Sequence, residues 1–275
     1  MRGRWWIAAV SGLVVVVALA VVVFVRQSGD DPAPDAAAPS AAPPSPAGSP
    51  SPSAKPSRTP GAHGVLLDFT DGLKLVRAAG AGKPAVREER ATGGEVRLVP
   101  RDGGFAVRFP QRCVQADPKQ CPRAILEAGA DVALNPGTGL LHWGAAVLMT
   151  ADETSDGSNL VQKGYSQTGS QFKLQVDGAK GQPSCVVAGP VGGVNGIHVA
   201  KAKSSVADGR WHTVDCVRQG DRLRIEVDGV AENEVAIPAE LDITNEAPLR
   251  IGGKGVATNN DQFHGTLDDV YVEIG

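Results

Sequence analysis

Two carboxylates that could hydrolyse a glycosidic bond stand at alternate positions of one predicted strand, Glu226 and Asp228. Alternate residues of a strand share one face, and retaining glycosidases need two carboxyl groups about 5–5.5 Å apart. The next alternate position is Val230, which is apolar, and Asp228 is followed by glycine, a composition typical of a turn. We therefore interpret the pair as part of an exposed polar strand face and predict no catalytic residue.

Other catalytic and nucleotide-binding patterns are missing from the sequence. It contains no G-x-S-x-G nucleophile elbow, no H-E-x-x-H zinc motif and no P-loop. The formal net charge is −3 and no basic block is present, so nucleic acid is not an expected partner. A divergent glycoside hydrolase is the alternative that stays open within the enzyme class.

An acidic loop gives the strongest indication of a bound metal. Asp152 and Asp156 occupy positions 1 and 5 of a stretch with glycine at position 6, as in a calcium-binding EF-hand loop. Position 12 is Lys163, where an EF-hand has a bidentate glutamate, and no flanking helices are predicted. The expectation is a looser oxygen cage for calcium, with Asp152 and Asp156 as ligands; a solvated acidic loop is the alternative, and residues 259–261 and 268–269 are competing oxygen clusters.

Sugar binding would need exposed aromatic side chains beside hydrogen-bonding groups. Aromatic residues make up 4% of the chain, and Trp143 and Trp211 lie in apolar strands, where we expect them to pack in the core. Tyr165 follows Lys163 and Gly164 in a polar loop and is the aromatic residue that we expect to be exposed. It is the candidate ligand-binding residue.

The four cysteines allow three disulfide pairings. We expect Cys113–Cys121, which closes a short loop, and Cys185–Cys216, which connects two strands. No C-x₂-C spacing is present, so a zinc site is not expected, and His212, on the strand face of Cys216, is interpreted as a core histidine. Disulfides suit a protein that is exported from the cytoplasm.

Many of these residues lie on a predicted hairpin that spans residues 208–230. In its second strand Leu223, Ile225 and Val227 alternate with charged residues, which predicts a strand with one buried face. The turn of the hairpin is expected at residues 218–221. Such a hairpin needs a second apolar layer to cover it, which favours a sandwich.

Further short strands, separated by Gly, Pro, Asn and Asp turns, are predicted as far as residue 274. No long stretch has helical apolar spacing, and residues 77–92 are expected to be mostly loop. The prediction is an all-β fold, a two-sheet antiparallel sandwich.

The N-terminal part of the chain has a different organisation. After a short basic stretch, residues 1–6, an uncharged apolar run at residues 7–25 is long enough as a helix to span a hydrocarbon layer of roughly 30 Å. The positive-inside rule predicts a transmembrane signal anchor with a cytoplasmic N-terminus; a cleaved signal peptide is the alternative. Residues 26–62, rich in Pro, Ala and Ser, predict a disordered linker, and residues 63–275 the folded domain.

The folded part resembles the laminin G-like, concanavalin A-like jelly-roll domains of secreted or anchored actinobacterial proteins. The matching stretches, in chain order, are GGFAVRFP, SNLVQKGY, QFKLQVDG, PSCVV, DGRWHTVDCVRQGDRLRIEVDG, PLRIGGK and DQFHGTLDDVYV. The resemblance implies a jelly-roll sandwich with adjacent first and last strands. Glucanases with this fold have an E-x-D-x-E row, in which Val230 here replaces the last carboxylate. Because the fold also supports lectins and adhesion modules, it does not specify an activity.

Together these features predict a non-catalytic binding module for an extracellular glycan or protein. The expected location is the cell membrane, with a single N-terminal span and the folded domain outside the cytoplasm, or secretion if the N-terminal segment is cleaved. Calcium is the cofactor that the sequence suggests. A purely structural envelope protein is the alternative outside the enzyme and binding classes.

Overall fold

The structure is a computed structural model that describes residues 63–70, 72–73, 77–79 and 86–275. The expected membrane anchor and linker lie outside these residues and stay predictions. Among the residues described, no helix has both the length and the apolar character needed to cross a membrane.

The described residues form strands and three single-turn 3-10 helices. The strands are β1 (His63–Leu67), β2 (Arg77–Ala79), β3 (Val86–Ala91), β4 (Arg97–Arg101), β5 (Gly104–Arg108), β6 (Arg123–Ala128), β7 (Leu141–Leu148), β8 (Asn159–Gly164), β9 (Gln171–Asp177), β10 (Gln182–Val191), β11 (Val194–Lys201), β12 (Trp211–Gln219), β13 (Arg222–Val227), β14 (Val230–Ala236), β15 (Leu249–Ile251) and β16 (Thr266–Ile274). The 3-10 helices are Pro118–Gln120, Val132–Leu134 and Ala151–Glu153.

The strands make two antiparallel sheets. The first has the order β14-β13-β12-β7-β16-β1-β2, and β5 adds to β16 with β4 beyond it. The second has the order β11-β10-β9-β8-β15-β6-β3. The first and last strands of the domain are neighbours, with Val65 opposite Val272. The predicted all-β, two-sheet antiparallel sandwich is therefore confirmed.

The core lies between the two sheets. Leu223, Ile225 and Val227 of β13 are buried, as their alternation predicts. Trp143 of the first sheet packs against Phe172 of the second, with ring centroids 5.6 Å apart. Contacts of this kind remove the apolar faces of both sheets from water, which is the main favourable contribution to folding.

The Cys185–Cys216 disulfide also joins the two sheets, since Cys185 lies on β10 and Cys216 on β12. Both cysteines are fully buried in the core. The second disulfide, Cys113–Cys121, closes a surface loop between β5 and β6. These are the two pairings that we expected.

Two local expectations were wrong. The hairpin turn consists of Gly220, at φ 55°, and Asp221, because Arg218 continues β12 and is fully buried. The two terminal nitrogens of the Arg218 guanidinium donate to the carbonyl oxygens of Gly139, Ala239 and Leu241, which replace the hydrogen bonds that water would make.

The segment expected to be mostly loop contains the edge strand β3, which pairs with β6. Its middle residues are charged, with the sequence Arg87-Glu88-Glu89-Arg90. Charged edge strands hinder pairing with other chains, and they lack the apolar alternation by which a strand is recognised in a sequence.

Candidate functional site

A groove of about 430 Å³ lies on the outer face of the second sheet, beside Tyr165. We call it the Tyr165 groove. Apart from the tyrosine its walls are mostly polar, and the side chains that matter for its chemistry are Gln162, Gln171, Lys173, Lys254, Asn260 and Asp261. These residues come from β8, β9 and the loop between β15 and β16.

The strand register explains why polar residues form the floor of this groove. Gln162 of β8 is opposite Lys173 of β9, while the flanking Phe172 and Leu174 point into the core. Alternation therefore places Lys173 on the outer face. The Gln162 side chain is fixed, because its Nε2 donates to the Gly164 carbonyl oxygen at 2.8 Å.

Tyr165 is half-buried, and its hydroxyl group both donates and accepts a hydrogen bond. The hydroxyl donates to the Lys254 carbonyl oxygen at 2.6 Å and accepts a hydrogen bond from Arg250. The Arg250 guanidinium also lies 5.6 Å from the ring centroid, within the range of a cation–π contact. One part of the ring is thus presented to the groove in a defined orientation.

The opposite wall is the loop that follows β15. Lys254 forms an ion pair of 2.9 Å with Asp261, and its backbone N–H donates to the Asn260 carbonyl oxygen at 2.8 Å. Asn260 is buried, and its Nδ2 donates to the Gly255 carbonyl oxygen and to Gln262 Oε1. The loop is therefore cross-linked by its own side chains, which favours a preformed wall.

Lys173 differs from the other cations of the groove. Its ammonium group makes no hydrogen bond and no ion pair within 4 Å to the part of the chain that the structure describes. Burial lowers the pKa of Lys173; Asp177 and Asp261 oppose this effect, and Lys254 adds to it. A half-buried ammonium group without a close partner is an available donor in the groove.

Sequence reasoning identified Tyr165 but missed the rest of the groove. In the sequence, Gln171 and Lys173 are part of a stretch that matches the family, and Asn260 and Asp261 belong to a competing oxygen cluster. Only the pairing of β8, β9 and β15 brings these residues together, and that pairing has no local sequence signal.

The carboxylates considered for glycoside hydrolysis are already engaged. Glu226 forms an ion pair of 2.8 Å with Arg224. Asp228 lies in the turn after β13, at φ 52°, and accepts hydrogen bonds from the Thr213 N–H at 2.8 Å and from His212 at 2.8 Å. Glu226 is thus on the strand and Asp228 in the turn that follows it.

Within the described ranges, no group of three or more His, Cys, Asp or Glu side chains is arranged to hold a metal ion. Asp152 is exposed and accepts a hydrogen bond of 2.5 Å from the Thr150 hydroxyl, which lowers the pKa of the carboxyl group. Asp156 is also exposed. Lys163, at the position of the EF-hand glutamate, is buried in a different network. A calcium site at Asp152 and Asp156 stays a prediction.

Two further expectations need correction. Trp143 is in the core, but Trp211 is half-buried on the outer face of the first sheet, with the Arg101 guanidinium 3.8 Å above its ring. His212 is not a core residue: it lies at the end of the hairpin and contacts Asp208 and Asp228.

A second groove, of about 500 Å³, adjoins the Cys113–Cys121 loop. It is lined by Arg97, Arg108 and Arg112. Arg97 is paired with Glu95, and Arg108 with Glu153. Because two of its three cations are paired and it has a single aromatic side chain, Phe109, in the core, it is a weaker candidate for a saccharide than the Tyr165 groove.

Residues 145–273 match a family model described as the concanavalin A-like lectin/glucanases superfamily. The expected resemblance is confirmed, and the matched range includes the Tyr165 groove. Laminin subunit alpha-3 of Homo sapiens is 31% identical over 77 residues, which are 26% of this chain and 2% of that protein. The chain thus spans a small fraction of the curated relative.

Solved structures with a similar fold include several binding domains. Domain 4 of AbnA, a GH43 extracellular arabinanase from Geobacillus stearothermophilus in complex with arabinotriose, has a TM-score of 0.55 and 11% identity over 77% of this chain and 92% of that chain. The binding domain of Botulinum Neurotoxin DC in complex with SialylT has a TM-score of 0.53 and 10% identity, over 76% and 47%.

The binding domain of Paraclostridial Mosquitocidal Protein 1 gives a TM-score of 0.53 and 12% identity, over 76% of this chain and 48% of that chain. This chain therefore spans about half of the two toxin structures. At such identities the likeness shows the fold alone.

Proposed function

We propose, from the concanavalin A-like superfamily that residues 145–273 match, that this protein is a non-catalytic module that binds a glycan in the Tyr165 groove. The observation that carries the proposal is the combination of one fixed aromatic ring with a high density of hydrogen-bonding side chains. Fold similarity alone would not specify a ligand.

The chemistry of the groove suits a saccharide. Sugar hydroxyl groups both donate and accept hydrogen bonds, and the exposed side chains of Gln167, Thr168 and Asn259 supply both functions. The exposed part of the Tyr165 ring can cover the apolar face of a sugar ring. A few polar groups beside an apolar surface are the usual composition of a small-ligand site.

Preorganisation supports the same conclusion. The hydroxyl of Tyr165 and the side chains of Gln162 and Asn260 are already fixed by hydrogen bonds within the protein. A ligand that binds such a site loses less free energy to the ordering of side chains. The similar folds of two binding domains, and of an arabinanase domain whose structure is a complex with arabinotriose, support a binding role.

The proposed cellular context completes the function. Residues 7–25 would anchor the protein in the membrane, residues 26–62 would hold the sandwich away from it, and residues 63–275 would face the exterior. Both disulfides are compatible with an oxidising location.

A protein ligand is the second candidate, because β11 at the edge of the second sheet has exposed aliphatic side chains. Val194, Ile197 and Val199 are 72%, 60% and 44% exposed. Clusters of exposed apolar residues are frequent at protein-binding surfaces.

A glycan array tests the main proposal. The full chain, purified in detergent, is applied with and without calcium, and saturable binding to a defined set of saccharides is expected. Tyr165→Ala should abolish that binding, whereas Tyr165→Phe, which keeps the ring, should retain part of it. The matched control is Phe105→Ala, which removes a partly exposed aromatic side chain on β5 of the other sheet.

Three other outcomes would contradict the proposal. Equal binding by wild type and Tyr165→Ala would place the ligand elsewhere, and protein capture that is lost in Ile197→Asp would favour the second candidate. Hydrolysis of a bound polysaccharide would establish an enzyme.

A further inference from the structure

We infer that the ligand of the Tyr165 groove is a saccharide with a carboxylate group, a uronic acid or a related acid sugar, and that Lys173 binds this carboxylate. The inference rests on the proposed function and specifies its substrate class. It follows from the charges of the groove, considered one by one.

Two of the cations at the groove already have carboxylate partners. Lys254 lies 2.9 Å from Asp261, and Arg250 lies 2.8 Å from Glu127. Glu127 is shared with Arg87, which also pairs with Glu89, so both this cluster and the Lys254–Asp261 pair have no net formal charge. Lys173 has no such contact within the described residues, because neither Asp177 nor Asp261 comes within 4 Å of its ammonium group. Among the residues that line the groove, Lys173 is therefore the cation without a close carboxylate partner; Asp177 and Asp261 act on it only at longer range.

The position of that charge makes it unfavourable in the empty groove. Lys173 is half-buried on β9, and burial lowers the pKa of its ammonium group. A cation that has lost part of its hydration gains from an ion pair with a ligand anion, especially where water is partly excluded. Binding of an anionic ligand would thus offset the unfavourable desolvation free energy of the Lys173 ammonium group.

The surroundings of Lys173 favour a carboxylate on a sugar over other anions. A single ammonium group matches the single negative charge of a carboxylate, whereas a phosphate monoester carries about −1.5 to −2 at neutral pH. Gln162 lies opposite Lys173 in the register, and Gln171 is its neighbour on the same strand face. Both amides are buried in the floor of the groove, so the lining side chains that sugar hydroxyl groups can reach are the exposed Gln167, Thr168 and Asn259.

The experiment compares matched saccharides. Oligomers of galacturonate, mannuronate and glucuronate, together with a sialylated oligosaccharide, are each tested beside the same compound after reduction of its carboxyl groups to alcohols. Binding to the full chain in detergent is measured by calorimetry. At least one acidic compound should bind ~10–100-fold more tightly than its reduced form, the usual effect of one charge-assisted hydrogen bond.

Substitutions identify the residue responsible. Lys173→Gln should remove the preference for the acidic compound and leave the weaker binding of the reduced one, and Lys173→Arg should restore part of the preference. Lys201→Gln, on the exposed edge strand β11, is the matched control for loss of one positive charge and should change nothing. Unchanged thermal unfolding of the Lys173 variants shows that they fold.

The outcomes separate this inference from the proposed function. Equal affinity for acidic and reduced compounds, or a preference that survives in Lys173→Gln, would overturn the inference and leave a neutral glycan as the ligand. Tight binding of sulfated saccharides with none of uronates would also overturn it. Absence of binding to every saccharide would overturn both proposals.

Discussion

The ammonium group of Lys163 donates a hydrogen bond of 2.7 Å to Oδ1 of Asn135. It also donates to the carbonyl oxygen and to Oδ1 of Asn245, at 2.8 and 3.0 Å. Three donors thus meet three neutral oxygens, and the buried cation is satisfied by hydrogen bonds. The network connects the end of β8 to two loops, immediately before Gly164 and Tyr165.

Lys163→Met should reduce the free energy of unfolding by about 2–4 kcal/mol, because the acceptors of Asn135 and Asn245 would lose their donor without access to water. Urea unfolding at neutral pH measures the change. Lys201→Met, at an exposed lysine, is the control and should stay within about 0.5 kcal/mol of wild type. A loss of the same size in both variants would contradict the role of the network.

The same lysine gives a pH dependence with a defined sign. Burial lowers the pKa of Lys163 to about 8 from its usual 10.5. Between these two values the unfolded chain binds more protons than the folded one, so stability should rise with pH in this window. The difference in unfolding free energy between wild type and Lys163→Met should therefore grow from pH 8 to pH 10. A constant difference would be evidence against a lowered pKa.

Gly164→Ala should disrupt the Tyr165 groove. Gly164 has φ 83°, and an added Cβ would collide with the Ser170 carbonyl oxygen and lie 2.5 Å from Asn245 Nδ2. The left-handed conformation alone costs an alanine about 1–2 kcal/mol, and the collision adds to this. We expect a larger total loss of unfolding free energy and weaker glycan binding. Gly169→Ala, in the same loop but with open space at its Cβ, should retain both.

Strands could be predicted from the sequence wherever apolar and polar residues alternate along them. In β13 the alternation of Leu223, Ile225 and Val227 with charged residues is visible within six positions, and all three are buried. The signal fails at sheet edges and ends. The charged edge strand β3 has no apolar alternation, and Arg218, which resembles a turn residue, is buried because backbone carbonyl groups accept hydrogen bonds from its terminal nitrogens.

The candidate site was less predictable for a physical reason. Gln162 and Lys173 become neighbours only through pairing of β8 with β9, and Asp261 reaches them from a loop that follows β15. Such contacts depend on register, which is determined by the whole sandwich. Two parts of the groove have a recognisable local pattern, the aromatic Tyr165 in a polar loop and the oxygen cluster at residues 259–261, but neither pattern indicates that they form one site.

The two disulfides should contribute unequally to stability. Cys185–Cys216 closes a loop of 31 residues and Cys113–Cys121 one of 8. Loop-closure entropy gives about 3–4 kcal/mol for the first and about 2–3 kcal/mol for the second.

Replacement of each pair by two alanines, followed by urea unfolding, measures both contributions. The loss should be greater for Cys185→Ala/Cys216→Ala, whose cysteines are fully buried, because a core cavity adds to the entropic term. A greater loss for the surface pair would contradict this order.

His212 predicts a second pH dependence, opposite in sign to that of Lys163. Its Nδ1 lies 2.8 Å from Asp228 and its Nε2 3.0 Å from Asp208. Burial acts to lower the pKa of His212, but the hydrogen bonds and charges of the two carboxylates outweigh it and raise the pKa. Burial also acts to raise the pKa of Asp208, but hydrogen bonds from His212 and Arg210 lower it well below its ordinary value.

These shifts define a pH window. A raised histidine pKa stabilises the folded state fully below about 6.5, and the contribution disappears as pH rises through the folded-state pKa. The lowered pKa of Asp208 stabilises the fold above about 4, and this contribution disappears in acid. The network should therefore contribute most between about pH 4 and 6.5, and wild type should lose stability relative to His212→Asn as the pH is raised to 9.

The comparison with His212→Asn is essential because another histidine acts in the opposite direction. His264 is buried, which lowers its pKa, so its protonation below about pH 6.5 destabilises the fold. The effect of His264 is present in both wild type and His212→Asn, so it cancels in the difference between their free energies of unfolding. Thermal unfolding of the pair at several pH values isolates His212. A difference that is flat from pH 5 to pH 9, or that increases with pH, would show that the ion pairs with Asp208 and Asp228 do not form in solution.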